Sequence, residues 1–248
     1  MLCPLLYCQM AITDSGLAEF NGNEKRFVNL KLNIVHYSMN TVGIFPVPIS
    51  GFLFDTHHHK QLKEKCLYIT ETKSYTENGG GNHKLIHYYD PVDGLNLLDC
   101  EGFGVFHDWI KACSLEYINK VLGNECEDVI VTECWLNVCK RGGLQPPHNH
   151  CNSIVSGTYF VNFVPGKHAP LLFVNKPNEV HPYLRVGTGF KKFAHVEHTE
   201  GTLLLWQSHI SHGYEENMED NRMTISFNVM PTTIKSDGAN YGFKISRI

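Results

Sequence analysis

A single change of rhythm limits what this chain can fold into. In "FGVFHDWIKACSLEYINKVLG" (103–123), Phe106, Trp109, Ile110, Cys113, Tyr117, Ile118 and Val121 recur every three or four residues, and Gly123 follows. That spacing predicts one amphipathic helix with a glycine stop. From residue 128 the period drops to two. "DVIVTECWLNVCKRGG" (128–143) is β-branched and alternating, and "SIVSGTYFVNFVPG" (153–166) closes on Pro-Gly. "PLLFVNK" (170–176), "FAHVEHTEG" (193–201), "GTLLLWQS" (201–208) and "RMTISFNVMP" (222–231) read as further strands. Six or more short strands without intervening helices imply a mainly β fold with helices before it: a sandwich, barrel or jelly roll.

The segments before residue 103 are less regular. "HHHKQLKEKCLYI" (57–69) is helix-like, and the adjacent His57, His58 and His59 read as a solvated helix start because neighbouring helical side chains diverge. "ENGGGNHK" (77–84) reads as a loop by its glycines. Residues 1–40 look unlike the rest and are read either as an N-terminal extension outside the core or as an ordinary strand and loop. Residues 41–248 are read as one domain, with a helical first half and β core from about 128.

Composition withholds support from some functions. Nine cysteines without a CxxC pair argue for free thiols in a reducing, cytoplasmic setting. A net charge of −4 with no basic block gives no support for a nucleic-acid or membrane surface. The apolar start "MLCPLLYCQM" lacks a basic n-region and is too short to span a bilayer. Fifteen histidines raise the expectation of a metal site.

Two of these histidines, His148 and His150, sit two apart in "QPPHNHCNS". In extended backbone such residues share a face and can converge on one ion, with Asn149 pointing away. The pair alone is weak and needs a third ligand. "LLLWQSHISHGYEENMEDNRMTISFNV" (203–229) offers His209 and His212, with Arg222 ten residues beyond the latter. Leu203–Trp206 and Met223–Val229 are expected to be adjacent antiparallel strands, placing His212 and Arg222 a hairpin apart. An arginine on an otherwise apolar strand needs an anion, and its fork suits a carboxylate. The plain alternative is a salt bridge to Glu215, Glu216, Glu219 or Asp220.

Taken together, H-x-H, a distal histidine and a following arginine resemble the iron(II)- and 2-oxoglutarate-dependent oxygenases, in particular a branch found in bacteria and phages. "IFPVPI", "ECWLNVCKRGGLQPPHNHCNSIVSGTYFV" and "GTLLLWQSHISHGYEENMEDNRMTISFNV" carry the resemblance, over roughly residues 41–231. It implies a double-stranded β-helix (a jelly roll, cupin-like), with Fe(II) as metal and 2-oxoglutarate and O₂ as co-substrates. It also implies hydroxylation of an unidentified substrate, with succinate and CO₂ formed, in the cytoplasm (the host's, if phage-encoded). His148 matches the first ligand, His150 the acidic position and His212 the distal histidine. Arg222 matches the residue that holds the far carboxylate of 2-oxoglutarate, Thr224 accompanies it, and Tyr159 is a candidate for the same carboxylate. Asn137 and Asn228 are candidate pocket residues.

The chain departs from the family in carrying His150 where a carboxylate is usual. Asn152 or a distant carboxylate is an alternative ligand, and His209 rivals His212. Two other functions stay open: a cupin-like three-histidine dioxygenase that needs no 2-oxoglutarate, and a non-catalytic metal-binding β-barrel. The substrate is not legible, and neither is oligomeric state, a homodimer included.

Overall fold

The computed structural model of the protein describes residues 11–13, 16–18, 47–77, 84–174, 193–235 and 242–246. The chain divides into two compact units, Met1–Pro48 and Ile49–Ile248. Within the first, β1 (Ala11–Thr13) and β2 (Gly16–Ala18) form an antiparallel hairpin. The rest of the segment read as an extension, and the glycine loop at 78–83, lie outside the described residues.

The second unit begins with β3 (Ser50–Leu53), α1 (Thr56–Thr72), β4 (Thr76–Glu77), β5 (Leu85–Tyr88) and α2 (Gly104–Glu116). Then come β6 (Val129–Cys139), β7 (Gln145–His148), β8 (Val155–Asn162), β9 (Leu172–Val174) and β10 (Phe193–His195). It ends with β11 (Thr202–Gln207), β12 (His212–Tyr214), β13 (Arg222–Pro231) and the small hairpin β14 (Thr233–Lys235) and β15 (Gly242–Lys244). A seven-stranded sheet runs β3-β11-β8-β13-β6-β5-β4, and a four-stranded sheet runs β10-β9-β12-β7. The two form a double-stranded β-helix, one of the mainly β folds the alternating segments allow.

Alternation decides what each face of the large sheet does. On β13, Met223, Ile225, Phe227 and Val229 point to one side with Leu136 and Val138 of β6 and Leu203 and Leu205 of β11. There they meet Leu62, Cys66 and Ile69 of α1 and Phe106, Ile110 and Cys113 of α2, which recur at helical spacing. Full burial of such a side chain contributes about 1.5–3 kcal/mol. Gly157 of β8 sits where a Cβ would overlap Phe227 and Leu205, so only glycine lets those side chains close over the sheet. The opposite face presents Phe160, Leu204 and Trp206 to Phe173 of β9 and to Leu171 just before that strand.

Helix ends follow their sequence signals. Asp55 caps α1, accepting from the backbone N–H of His57 and His58 at 3.0 and 3.1 Å. The helix predicted over 103–123 is α2 plus a wider turn at Tyr117–Val121, and Gly123 takes the left-handed φ of 71°. The first half is less purely helical than its sequence reads, because β3, β4 and β5 join the large sheet. These strands are only two to four residues long, too short to give a period. One topological expectation is corrected. β11 and β13 are not neighbours: β8 lies between them and pairs with both. His212 belongs to the small sheet and Arg222 to the large one, so residues 215–221 cross between sheets and do not turn a hairpin.

Candidate metal centre

The small sheet brings the histidines together. His148 ends β7 and lies opposite His212, which opens β12. A Cβ on Gly213 would strike the Gln145 carbonyl, so glycine there lets β12 lie close against β7. His150 follows two residues past His148, its backbone N–H donating to the Ser208 carbonyl at 3.0 Å. Asn149 between them is exposed. The ligand atoms of His148, His150 and His212 all lie within 4.8 Å of one another, which suits a single ion. Among the described residues no carboxylate joins them. Asn152 and His209, the alternative ligands, are exposed and outside this group.

Hydrogen bonds assign the ring nitrogens. Nδ1–H of His212 donates to the Ile210 carbonyl at 2.9 Å, leaving Nε2 bare. Nδ1–H of His148 donates to the Pro146 carbonyl at 3.0 Å, with the Gln145 amide at 3.4 Å; the nearer carbonyl can only accept, so Nε2 is again bare. Carbonyl acceptors on the far nitrogen are the usual orienting partners of metal-binding histidines. Burial holds the His212 imidazole down at about 3, and burial followed by the nearby His148 holds His150 at about 4. Both rings are therefore neutral at pH 7, as a metal ligand must be. Trp206 packs its ring 4.6 Å from that of His212 and buries an Nε1–H with no partner among the described residues.

Arg222 opens β13 on the same cavity. It is 2 % exposed, donates Nε–H to the Ala169 carbonyl at 2.8 Å, and lies 4.0 Å from the centre of the Tyr214 ring. No carboxylate of the described residues forms an ion pair with it. The four acidic residues that could have neutralised it do not, and burial without an anion pushes its pKa down. A buried guanidinium beside three converging imidazoles is an arrangement fitted to an anionic ligand.

The other expected residues divide. Thr224 and Asn137 line the cavity, Asn137 donating to Ser226 Oγ at 2.9 Å and accepting from Trp135 Nε1–H at 3.0 Å. Tyr159 does not. It lies on the opposite face of β8, against Phe54, Phe106 and Trp109, with its hydroxyl donating to His59 at 2.6 Å. Period two explains this: Ser156, Thr158 and Phe160 face inward, so 159 must face out. The triple histidine splits likewise, with His57 and His58 exposed and His59 turned in to Tyr159 and Glu200. Sequence reasoning missed Trp135 and Trp206, and also His87, which lines the cavity with Nδ1–H donating to Asp90 at 3.2 Å. The tryptophans were open to it, since Trp135 shares the parity of Asn137 and Trp206 that of Leu204.

Two facing antiparallel sheets, with an H-x-H pair, a distal histidine and a buried arginine between them, define the class by fold: a double-stranded β-helix. Residues 133–228, the stretch holding all four residues, match the family described as "Putative 2OG-Fe(II) oxygenase". No curated protein matches the chain. Solved structures share the fold at low identity. The epimerase SnoN from nogalamycin biosynthesis is 12% identical, covering 75% of this chain and 77% of its own, with a TM-score of 0.57. HygX from Streptomyces hygroscopicus, solved with nickel, 2-oxoglutarate and hygromycin B, is 10% identical over 82% and 93%, at 0.53. A prolyl-4-hydroxylase from Pseudomonas putida is 12% identical over 73% and 91%, at 0.52.

Proposed function

We infer that this chain is an Fe(II)- and 2-oxoglutarate-dependent dioxygenase that hydroxylates its substrate. The observation that carries the reading is Arg222, a buried guanidinium with no carboxylate partner among the described residues, on the same cavity as three convergent imidazoles. The residues fit both groups. His148 and His212 present bare Nε2 atoms, a nitrogen donor set suited to divalent iron. Arg222 would supply the fork for the C5 carboxylate, and Thr224, which lines the same cavity, would add its hydroxyl. When bound, iron and 2-oxoglutarate supply O₂ activation, with succinate and CO₂ as products.

The chain's own part is binding and orientation. Arg222 cannot move far, because its Nε–H is tied to Ala169 and its plane lies over Tyr214. It therefore fixes the direction of an incoming dicarboxylate, and the low-dielectric surroundings strengthen that pairing. Trp206 excludes water from one side of His212. The all-histidine set favours one rival, a cupin-like dioxygenase independent of 2-oxoglutarate. Iron-loaded protein is assayed for O₂ uptake and succinate with and without 2-oxoglutarate. Succinate that requires both iron and 2-oxoglutarate is expected, and O₂ uptake indifferent to 2-oxoglutarate would favour the rival.

A further inference from the structure

His150 is wired differently from its two partners. Its Nδ1 faces not a carbonyl but the side-chain amide nitrogen of Asn228, at 3.4 Å. That amide cannot be turned round. Its nitrogen donates to Glu133 Oε2 at 2.6 Å, and its oxygen accepts from the Ser156 hydroxyl at 2.8 Å. Reversal would press the amide oxygen against the Glu133 carboxylate, two acceptors with no proton between them. Ser156 is held in turn by Ser208 at 2.9 Å, and Ser208 by Ser153 at 2.7 Å. Nδ1 of His150 can then only accept, so its proton sits on Nε2. That Nε2–H points at the bare Nε2 of His212, 3.3 Å away. Asn228, His150, His212 and the Ile210 carbonyl thus form one donor-to-acceptor chain.

We propose that Asn228, pinned by Glu133 and Ser156, holds His150 in its Nε2–H tautomer and makes it the conditional member of the histidine set. The inference rests on reading these histidines as metal ligands. His148 and His212 offer lone pairs as they stand. An ion that takes Nε2 of His150 must displace a proton and break the contact with Asn228. An ion satisfied by His148, His212 and an anionic chelator need not. His150 stands where the family carries a carboxylate, and Glu133 keeps a carboxylate nearby, one residue further from the centre. Asn228 is a positioning residue in this scheme, acting on the metal only through His150.

The test reads tautomers first. The full chain is labelled with ¹⁵N at histidine and its ring nitrogens are recorded without added metal, His150→Gln identifying the resonances of His150. Expected is a protonated Nε2 with an unprotonated Nδ1 for His150, and the reverse for His148 and His212. A protonated Nδ1 on His150 overturns the proposal. The second measurement exchanges the two groups, Glu133→Gln together with Asn228→Asp. Charge is conserved, and the introduced carboxylate accepts from Nδ1–H of His150, freeing Nε2. Co(II) alone is the probe. Affinity should rise about 10–100-fold, the usual scale of such orienting partners, and the His150 ring pattern should invert. Glu133→Gln alone, which lifts the bar to reversing the Asn228 amide, should give a smaller gain in the same direction. A folded exchange variant that binds Co(II) no tighter than wild type sinks the proposal. Wild type that binds Co(II) no better than His148→Ala would instead sink the metal-centre reading, while the ring nitrogens would still decide the tautomer.

Discussion

Two polar clusters lie against opposite faces of the same large sheet, and they are built in opposite ways. On the helical side, the Tyr159 hydroxyl donates to His59, His59 donates to Glu200 at 2.9 Å, and Lys63 donates to Glu200 at 2.9 Å and to Asn162 at 2.8 Å. Each of these contacts meets a partner of the chain's own making. On the cavity side, among the described residues, Arg222 meets no carboxylate and Trp206 Nε1–H no acceptor, while three imidazoles converge. Desolvation costs more on the cavity side, where Arg222 is buried, than in the half-buried closed cluster. The closed cluster offsets it within the chain, which marks it as structural. The open one leaves the offset to a ligand, which is what the proposed function requires of it.

The largest effect that sharpens this contrast is on metal. His148→Ala and His212→Ala each remove a nitrogen already bare for ligation. Each should weaken Co(II) or Fe(II) binding by more than the roughly 10–100-fold typical of orienting partners. His150→Ala should cost less than either, since its Nε2 carries a proton. Metal titration by competition with a chelator orders the three, and a His150→Ala defect as deep as the others would contradict its conditional role.

Arg222→Leu comes next. Losing one partner of a buried ion pair costs about 3–5 kcal/mol, so half-saturation by 2-oxoglutarate should rise by two or more orders of magnitude with metal binding retained. The contrast supplies a second, less obvious sign. Without 2-oxoglutarate the arginine is a buried cation with no anion, so leucine should leave the fold as stable or more so. A thermal midpoint that falls sharply would show that Arg222 has a structural partner, and the two clusters would no longer differ in kind.

Acid should act on the cavity side. His212 is held at about 3, and His150 and His198 at about 4, all chiefly by burial. Their folded values lie below the ordinary 6.5, so the unfolded chain binds more protons between the two. The stability they contribute is complete above about pH 6.5 and is lost as pH falls toward 4. Each imidazole loses at most about 1.4 kcal/mol per pH unit in that window. Urea unfolding at pH 7 and pH 5 measures the drop, and saturating Co(II) should reduce it by stabilising the neutral rings. No change between the two pH values would mean that the imidazoles are not buried as described.

How much of this was legible beforehand follows from period and distance. Residues two apart on a strand share a face in any fold, so His148 and His150 could be paired from sequence, and Arg222 stood out on an apolar strand. His212 beside His148 is a pairing between strands more than sixty residues apart, and only the resemblance supplied it. Which sheet each strand joins is a non-local outcome that no local pattern encodes, and the assumed β11–β13 hairpin failed there. Tyr159 failed for a simpler reason. Its type suited a carboxylate, while its odd position among Ser156, Thr158 and Phe160 already placed it on the other side.

Tyr159→Phe tests the contrast from the closed side and should have the smallest effect. The phenol ring fills space among Phe54, Phe106 and Trp109, and phenylalanine preserves that packing. What is lost is one hydroxyl, its 2.6 Å bond to His59 Nδ1, and nothing on the cavity side. A hydrogen bond of this kind is worth about 0.5–1.5 kcal/mol net. His59 keeps Glu200 through its other nitrogen, and Glu200 keeps Lys63, so no charge is stranded. The expected outcome is a midpoint in urea lowered by that amount, with Co(II) affinity and 2-oxoglutarate half-saturation unchanged. If 2-oxoglutarate binding weakens while the protein stays folded, the two clusters are coupled through β8, and the division into a structural face and a functional face is wrong.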